Sequence, residues 1–247
     1  MTGAGRQEPV GLRWVLAGLW LVWALLCCLL SMQAMDPELA RAVRGLPDSV
    51  QSLSRVVTVA GLGQWYLWPS GLGALGLAGV AAFETDPARA RRYRRLALAL
   101  AFVFVAVAAS GLTADLIKVL VGRGRPKLLT ESGFYGFAPL AFRGASYQSF
   151  PSGHATTAAA VAMAVAALIP CLRWPLTIFA LIIAASRVII GAHYAGDVIG
   201  GIAIGWFVAW MVREGFASRR VLFEHTPDGT IRRLDWPWPG RDGEKRS

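Results

Sequence analysis

Ser149-Phe150-Pro151-Ser152-Gly153-His154-Ala155-Thr156-Thr157 runs straight into an Ala- and Val-rich apolar stretch that continues to Leu172. A stretch that long and that apolar reads as a membrane helix, and a titratable His at its mouth is costly unless something polar meets it there. Pro151 fixes the approach of the chain. Ser152 can cap the helix, and Gly153 lets the backbone come close to a ligand. The unpaired N–H groups of such a helix start form an anion site. Taken alone, the stretch reads equally well as an ordinary cap with an idle His.

The rest of the chain sets its context. Of 247 residues, 55% are hydrophobic and 16% charged, whereas a soluble domain carries about a quarter charged. Six apolar segments approach or reach the length needed to cross a bilayer: Leu12–Ala34, Val56–Phe83, Leu96–Val121, His154–Leu172, Trp174–Ile190 and Gly196–Phe216. The expected fold is therefore all-α, a polytopic six-helix transmembrane bundle over residues 1–216. A basic cytoplasmic tail with little order is expected over 217–247, with Trp236 and Trp238 at headgroup level. The first segment is long and has no small-x-small cleavage site, so it reads as a retained helix. Pro170 and Pro175 break the chain around Arg173 into a tight helical hairpin.

The net charge of +10 does not indicate nucleic acid, because the Arg residues lie in short connections between apolar runs. Cys27, Cys28 and Cys171 lie within apolar segments without metal-ligand spacing and read as small hydrophobes. Glycines recur in the second segment (Gly61, Gly63, Gly71, Gly73, Gly76, Gly79) and the sixth (Gly196, Gly200, Gly201, Gly205). They indicate close helix packing within one chain, with a dimer face as the alternative.

Arg89, Arg91, Arg92, Arg94 and Arg95 place the second connection in the cytoplasm. Both termini then lie inside, and the first, third and fifth connections face outward. The third connection nevertheless carries Arg123, Arg125, Lys127 and Arg143. A topology rule broken at one place suggests that those charges are used.

Three clusters of costly polar residues stand out. Lys118 ends the third segment, and Arg125 follows seven residues later, on the same face if the helix persists until Pro126 ends it. Ser152, Gly153 and His154 open the fourth. Arg187, His193 and Asp197 surround the fifth connection, with His193 and Asp197 four apart. Singly, these read as snorkelling cations, a cap, and an interfacial Arg187–Asp197 ion pair with a lone His. The topology puts all of them at one side of the membrane, which independent bland readings would not produce. Three cations and a helix start suit phosphate oxygens, and two His suit a nucleophile and a proton donor. The nucleophile is assigned to His193, since it has a carboxylate close in sequence. No Asp/Glu cluster is present to hold Mg²⁺. His225 has no evident partner and receives no role.

Together the stretches read K-x6-R-P, P-S-G-H and S-R-x5-H-x3-D: Lys118, Arg125-Pro126; Pro151 to His154; Ser186-Arg187, His193, Asp197. This resembles the signature of the type 2 phosphatidic acid phosphatase family, over residues 118 to 197. The resemblance implies that His193 attacks phosphorus to form a phosphohistidine and that Asp197 holds and polarises His193. It implies that His154 protonates the leaving oxygen and then activates water. Lys118, Arg125, Ser152, Gly153 and Arg187 would bind the phosphoryl oxygens. No metal or cofactor is implied.

The expected activity is hydrolysis of a phosphomonoester or pyrophosphate of a membrane lipid at the outer face of the plasma membrane. Candidate substrates are undecaprenyl pyrophosphate, phosphatidylglycerophosphate, phosphatidate and lipid A phosphates. A lipid-to-lipid phosphotransferase would share the site. Vanadium haloperoxidases resemble it too but are soluble, and an anion transporter would need repeats that the chain lacks. The aromatic loop Gly133 to Phe142 is expected to shape headgroup choice or simply to rest on the interface.

Overall fold

Helix α1 (Val10–Ala34) shows how the apolar surplus is spent: Leu16, Leu19, Val22, Leu26, Leu29 and Leu30 are all exposed, whereas Ala17, Ala24 and Cys28 are buried. A helix that turns its leucines outward and its small residues inward is solvated by lipid. The computed structural model describes residues 10–140, 144–226 and 230–234. The chain continues through α2 (Asp36–Ala42), α3 (Asp48–Thr58), α4 (Gln64–Phe83), α5 (Pro87–Val121) and α6 (Pro126–Ser132). Then come α7 (Gly153–Leu168), α8 (Arg173–Ile189), α9 (Ala195–Ser218), and a hairpin of β1 (Phe223–His225) and β2 (Ile231–Arg233). The protein is all-α apart from that hairpin, and it crosses the membrane several times. Five helical stretches among the described residues are long and apolar enough to do so.

The sixth expected span, His154–Leu172, is shorter. Helix α7 has 16 residues, about 24 Å at 1.5 Å per residue, because Ile169 leaves the helical conformation ahead of Pro170. It is the centre of the bundle rather than a lipid-facing wall: every residue from Ala155 to Ala164 is buried. Helix α9 lies against it through Gly201 and Gly205. A Cβ at Gly201 would come within 2.7 Å of the Ser152 carbonyl oxygen, and one at Gly205 would overlap the Thr156 carbonyl. Only glycine permits this approach.

Other expected boundaries move for identifiable reasons. The span Val56–Phe83 is interrupted: α3 passes into a 3₁₀ turn, Val59–Gly61, and α4 starts afresh at Gln64. Helix α3 therefore caps the bundle, turning Ser54 and Thr58 inward and Leu53 and Val56 outward. The Arg-rich connection before Leu96 is helical from Pro87, where Asp86 caps the first turn and Pro occupies the first helical position. Pro175 likewise sits in the first turn of α8 and does not break it.

Helix α5 does not persist to Arg125. It stops at Gly122, whose φ of +60° is left-handed and whose Cβ would overlap the Ala138 carbonyl. Pro126 starts α6 instead of ending a helix. The tail expected to be poorly ordered holds the β1–β2 hairpin, with Phe223 buried against Phe102 and Phe216 in the main core. His225 has partners after all: its Nδ1 is 2.9 Å from Arg13 Nη1, and its Nε2 is 3.7 Å from Glu214 Oε2. Arg143, Phe142, Trp236 and Trp238 lie outside the described residues.

Candidate active site

The C-terminal ends of α1, α5 and α8 and the N-terminal ends of α7 and α9 lie at one end of the bundle, and the signature residues gather there. His193 stands in the turn between α8 and α9, where Gly191 reverses the chain with φ +64°. Its side chain is 3% exposed. Nδ1 is 2.8 Å from the Ser149 carbonyl oxygen and 3.5 Å from Asp197 Oδ2. A carbonyl oxygen can only accept, so Nδ1 carries the hydrogen and the Nε2 lone pair is unprotonated in the neutral ring. Burial pushes the His193 pKa down, Asp197 opposes this, and Arg125 and Arg187 push it down further.

Asp197 is fully buried at the start of α9. Oδ2 accepts from Ser149 Oγ at 2.5 Å and from the Tyr194 N–H at 2.9 Å, and Oδ1 accepts from Arg123 Nη1 at 2.7 Å. The close acceptor of His193 is the Ser149 carbonyl, with Asp197 Oδ2 farther off at 3.5 Å and itself bonded to the Ser149 hydroxyl. The Arg187–Asp197 pair does not form. Arg187 instead donates from Nη1 to Thr58 Oγ1 at 2.9 Å, which places α3 behind the site.

Lys118, on the last turn of α5, pairs with Asp115 at 2.6 Å and sits above Gly153, where a Cβ would come 3.2 Å from Nζ. Arg125 is delivered by the chain after Gly122, pinned where its N–H meets the Ser146 carbonyl. Burial lowers the Arg125 pKa, and Asp197 opposes that. Ser152 occupies the cap position of α7, but its hydroxyl makes no cap bond. Lys118, Arg125, Arg187 and His193 all act electrostatically on the His154 ring, and Arg125 and Arg187 on His193. The two imidazoles therefore share one cationic environment.

Ser152 Oγ, Arg125 Nε and Arg187 Nε are buried without a hydrogen-bond partner, as is, on the Arg123 side, the Tyr194 hydroxyl. Buried donors are normally satisfied, and a set left open around two His is what a tetrahedral oxyanion would complete. Among the described residues, no group of three or more His, Cys, Asp or Glu side chains could hold a metal ion.

Several residues of this region were not singled out from sequence as site residues. Ser149 and Thr58 are ordinary polar residues in sequence, and Asp36 lies far upstream. The loop Gly133 to Phe142 contributes Tyr135 and Phe137, which flank the Arg123 guanidinium rather than the two imidazoles.

Residues 98–220 match the PAP2 superfamily. The chain is 34% identical over 236 residues to a lipid A 1-phosphatase of Rhizobium johnstonii, covering 94% of this chain and 91% of that one. It is also 34% identical over 209 residues to a lipid A 1-phosphatase of Rhizobium etli, covering 84% and 86%. A 63-residue stretch is 36% identical to the undecaprenyl-diphosphatase BcrC of Bacillus subtilis, covering 26% and 33%. The crystal structure of a transmembrane PAP2-type phosphatidylglycerolphosphate phosphatase from Bacillus subtilis superposes with a TM-score of 0.56 at 20% identity, covering 83% of this chain and 96% of that one. That likeness establishes the shared fold. With its signature residues at one end of an apolar bundle and relatives aligned along almost its whole length, the chain belongs to the PAP2 superfamily as a multi-pass membrane protein.

Proposed function

We propose that the protein is a lipid phosphatase of the inner membrane that releases phosphate from an anionic envelope glycolipid of the lipid A 1-phosphate type, through a phosphohistidine on His193. The observation that carries this reading is the trio of unpartnered buried atoms, Ser152 Oγ, Arg125 Nε and Arg187 Nε, beside two imidazoles. The choice of lipid rests on the two rhizobial relatives.

In this mechanism Nε2 of His193 attacks phosphorus while the P–O bond to the lipid breaks, and His154 gives its proton to the leaving oxygen. His154 then takes a proton from water as the water oxygen attacks phosphorus. The P–N bond breaks, its electron pair returns to His193, and inorganic phosphate leaves. Lys118, Arg125 and Arg187, with Ser152 and the Gly153 N–H, neutralise the charge on the transferring group. No metal enters these steps, and none is required to balance the charge.

The site is assigned to the outer face and both termini to the cytoplasm. Supporting this, Arg13, Arg213, Arg219 and the Arg-rich start of α5 lie at the bundle end opposite the signature residues. The test is phosphate release by purified protein in detergent over a panel of lipid A 1-phosphate, undecaprenyl pyrophosphate, phosphatidylglycerophosphate and phosphatidate. Lipid A 1-phosphate is expected to be fastest, with vanadate inhibiting and chelator without effect. Equal release by a His193→Ala variant would overturn the mechanism.

A further inference from the structure

Arg123 is a cation that touches neither imidazole, yet it is held more tightly than any of the signature cations. It is 2% exposed, between two carboxylates that are 0% exposed. Nη1 donates to Asp197 Oδ1 at 2.7 Å, and Nη2 donates to Asp36 Oδ2 at 2.8 Å and to the Tyr135 hydroxyl at 2.9 Å. The Tyr194 ring lies 4.4 Å from the guanidinium carbon. Burial disfavours the charge, but Asp197 and Asp36 more than offset this and hold the Arg123 pKa above its already high usual value.

Asp36, at the start of α2, is anchored in turn. Its Oδ1 accepts from Ser31 Oγ at 2.8 Å and from the Gly196 N–H at 3.0 Å, on the first turn of α9. An unbroken path of hydrogen bonds therefore runs Asp36, Arg123, Asp197, Ser149, His193. A buried ion triad is a weak source of stability, because apolar residues of the same volume often serve as well. What it does supply is direction: the planar fork of an Arg fixes two carboxylates relative to each other, which a Lys cannot do.

We propose that Arg123, anchored by Asp36, is a positioning residue for phosphoryl transfer: it holds Asp197 by Oδ1 so that Oδ2 keeps Ser149, and through it His193, in the orientation for attack. This rests on the reading of His193 as nucleophile. Arg123 does not serve as a phosphate ligand, since both terminal nitrogens are committed to carboxylates and the side chain is closed to solvent. Asp36 stands outside the residues matched to the superfamily, so the amino-terminal helices of this chain take part in setting the site.

The test uses full-length protein in detergent, with Arg123→Lys and Asp36→Asn compared with wild type. Two readouts are taken: kcat and KM for phosphate release, and the ¹⁵N spectrum of the imidazoles, assignable because the chain has only His154, His193 and His225. The groups that set the His193 titration are Asp197 on α9, Arg125 on the loop, Arg187 on α8 and His154 on α7, with Arg123 behind Asp197. Arg123→Lys is expected to lower kcat roughly 10–100-fold with KM within about threefold, and to turn the single Nδ1–H tautomer of His193 into a mixture. Asp36→Asn keeps the shape of the site and should show a smaller loss of the same kind, which covers the case in which Arg123→Lys does not fold. Unchanged kcat in a folded variant overturns the proposal, as does a fall in kcat with the His193 tautomer unmoved. If wild type releases no phosphate but the variants still shift the His193 tautomer, the phosphatase reading fails and the positioning role stands.

Discussion

His193 gives its Nδ1 hydrogen to the Ser149 carbonyl oxygen across 2.8 Å. For a nucleophilic His193 the bond leaves Nε2 as the attacking nitrogen, and burial with Arg125 and Arg187 nearby favours the neutral ring against the opposing pull of Asp197. The attacking form is the neutral one, and the folded-state pKa is depressed. That form is therefore the majority at the ordinary His value of about 6.5, and the ring becomes half protonated only at a lower pH. Once corrected for the second ionisation of the substrate phosphate, the acid limb of kcat/KM should lie below pH ~6.5, while an alkaline limb reports loss of the proton that His154 gives to the leaving oxygen. An acid limb centred at or above the ordinary value would contradict the assignment. His193→Ala should lower release by roughly 10⁴-fold or more while the protein remains folded in detergent.

His154 stands at the second helical position of α7, in the field of Lys118, Arg125, Arg187 and His193. If it protonates the leaving oxygen, its importance depends on how much help the leaving group needs. His154→Ala should slow release from a lipid phosphate by about 10²–10⁴-fold, and much less from an aryl phosphate with an acidic phenol. Measuring both substrates on one preparation decides the matter: equal losses would remove the proton-donor role.

The hydroxyl of Ser152 is buried and unpartnered. Ser152→Ala deletes a buried polar group that has no partner within the protein, so the melting temperature should be unchanged or higher. Vanadate should nonetheless bind more weakly, by about 1.5–3 kcal/mol, the worth of a hydrogen bond to a charged group. A fall in melting temperature with intact vanadate affinity would mean that the hydroxyl is structural.

Sequence reasoning reached the signature residues because each is a polar type at a place where polarity is expensive, and because topology brings them to one end. It went wrong where a local rule met a tertiary one. Lys118 and Arg125 both act on the His154 ring, but Gly122 ends the helix between them and Arg125 arrives on a loop. His225 looked isolated because Arg13 is 212 residues away in sequence and Glu214 lies on the preceding helix. Asp36 and Arg123 are 87 apart, and neither neighbourhood hints at the other. Ser149 contributes chiefly a backbone carbonyl, which side-chain identity cannot reveal.

Phe223 shows what the hairpin after α9 does. Its ring is 1% exposed and packs edge-on against Phe102, 5.1 Å away, at the bundle end opposite the two imidazoles. Phe223→Ala should cost about 3–5 kcal/mol, seen as a lower melting temperature in detergent, with kcat unchanged in the protein that remains folded. Loss of activity without loss of stability would instead tie the hairpin to the chemistry.

Gly61 offers the sharpest steric test of the site. The 3₁₀ turn Val59–Gly61 presses against α7 and α8 so closely that a Cβ on Gly61 would lie 2.7 Å from Ile183 Cγ2 and 2.9 Å from His154 Cδ2. Ile183 is buried in the core cluster of α7 and α8 and has little room. The His154 ring faces a groove lined by Gly61, Gly63, Gly111 and Leu112 and can move. The added methyl would also come within 3.0 Å of His154 Cβ, so it should turn the ring and press on the first turn of α7 together. Gly61→Ala should cost about 1–3 kcal/mol in stability, the usual price of overpacking. Its effect on release should follow the pattern of a damaged proton donor: a larger loss on lipid phosphate than on an activated aryl phosphate. Equal losses on both substrates would mean that the turn collapses as a whole, and unchanged kinetics would mean that Ile183, not His154, gives way.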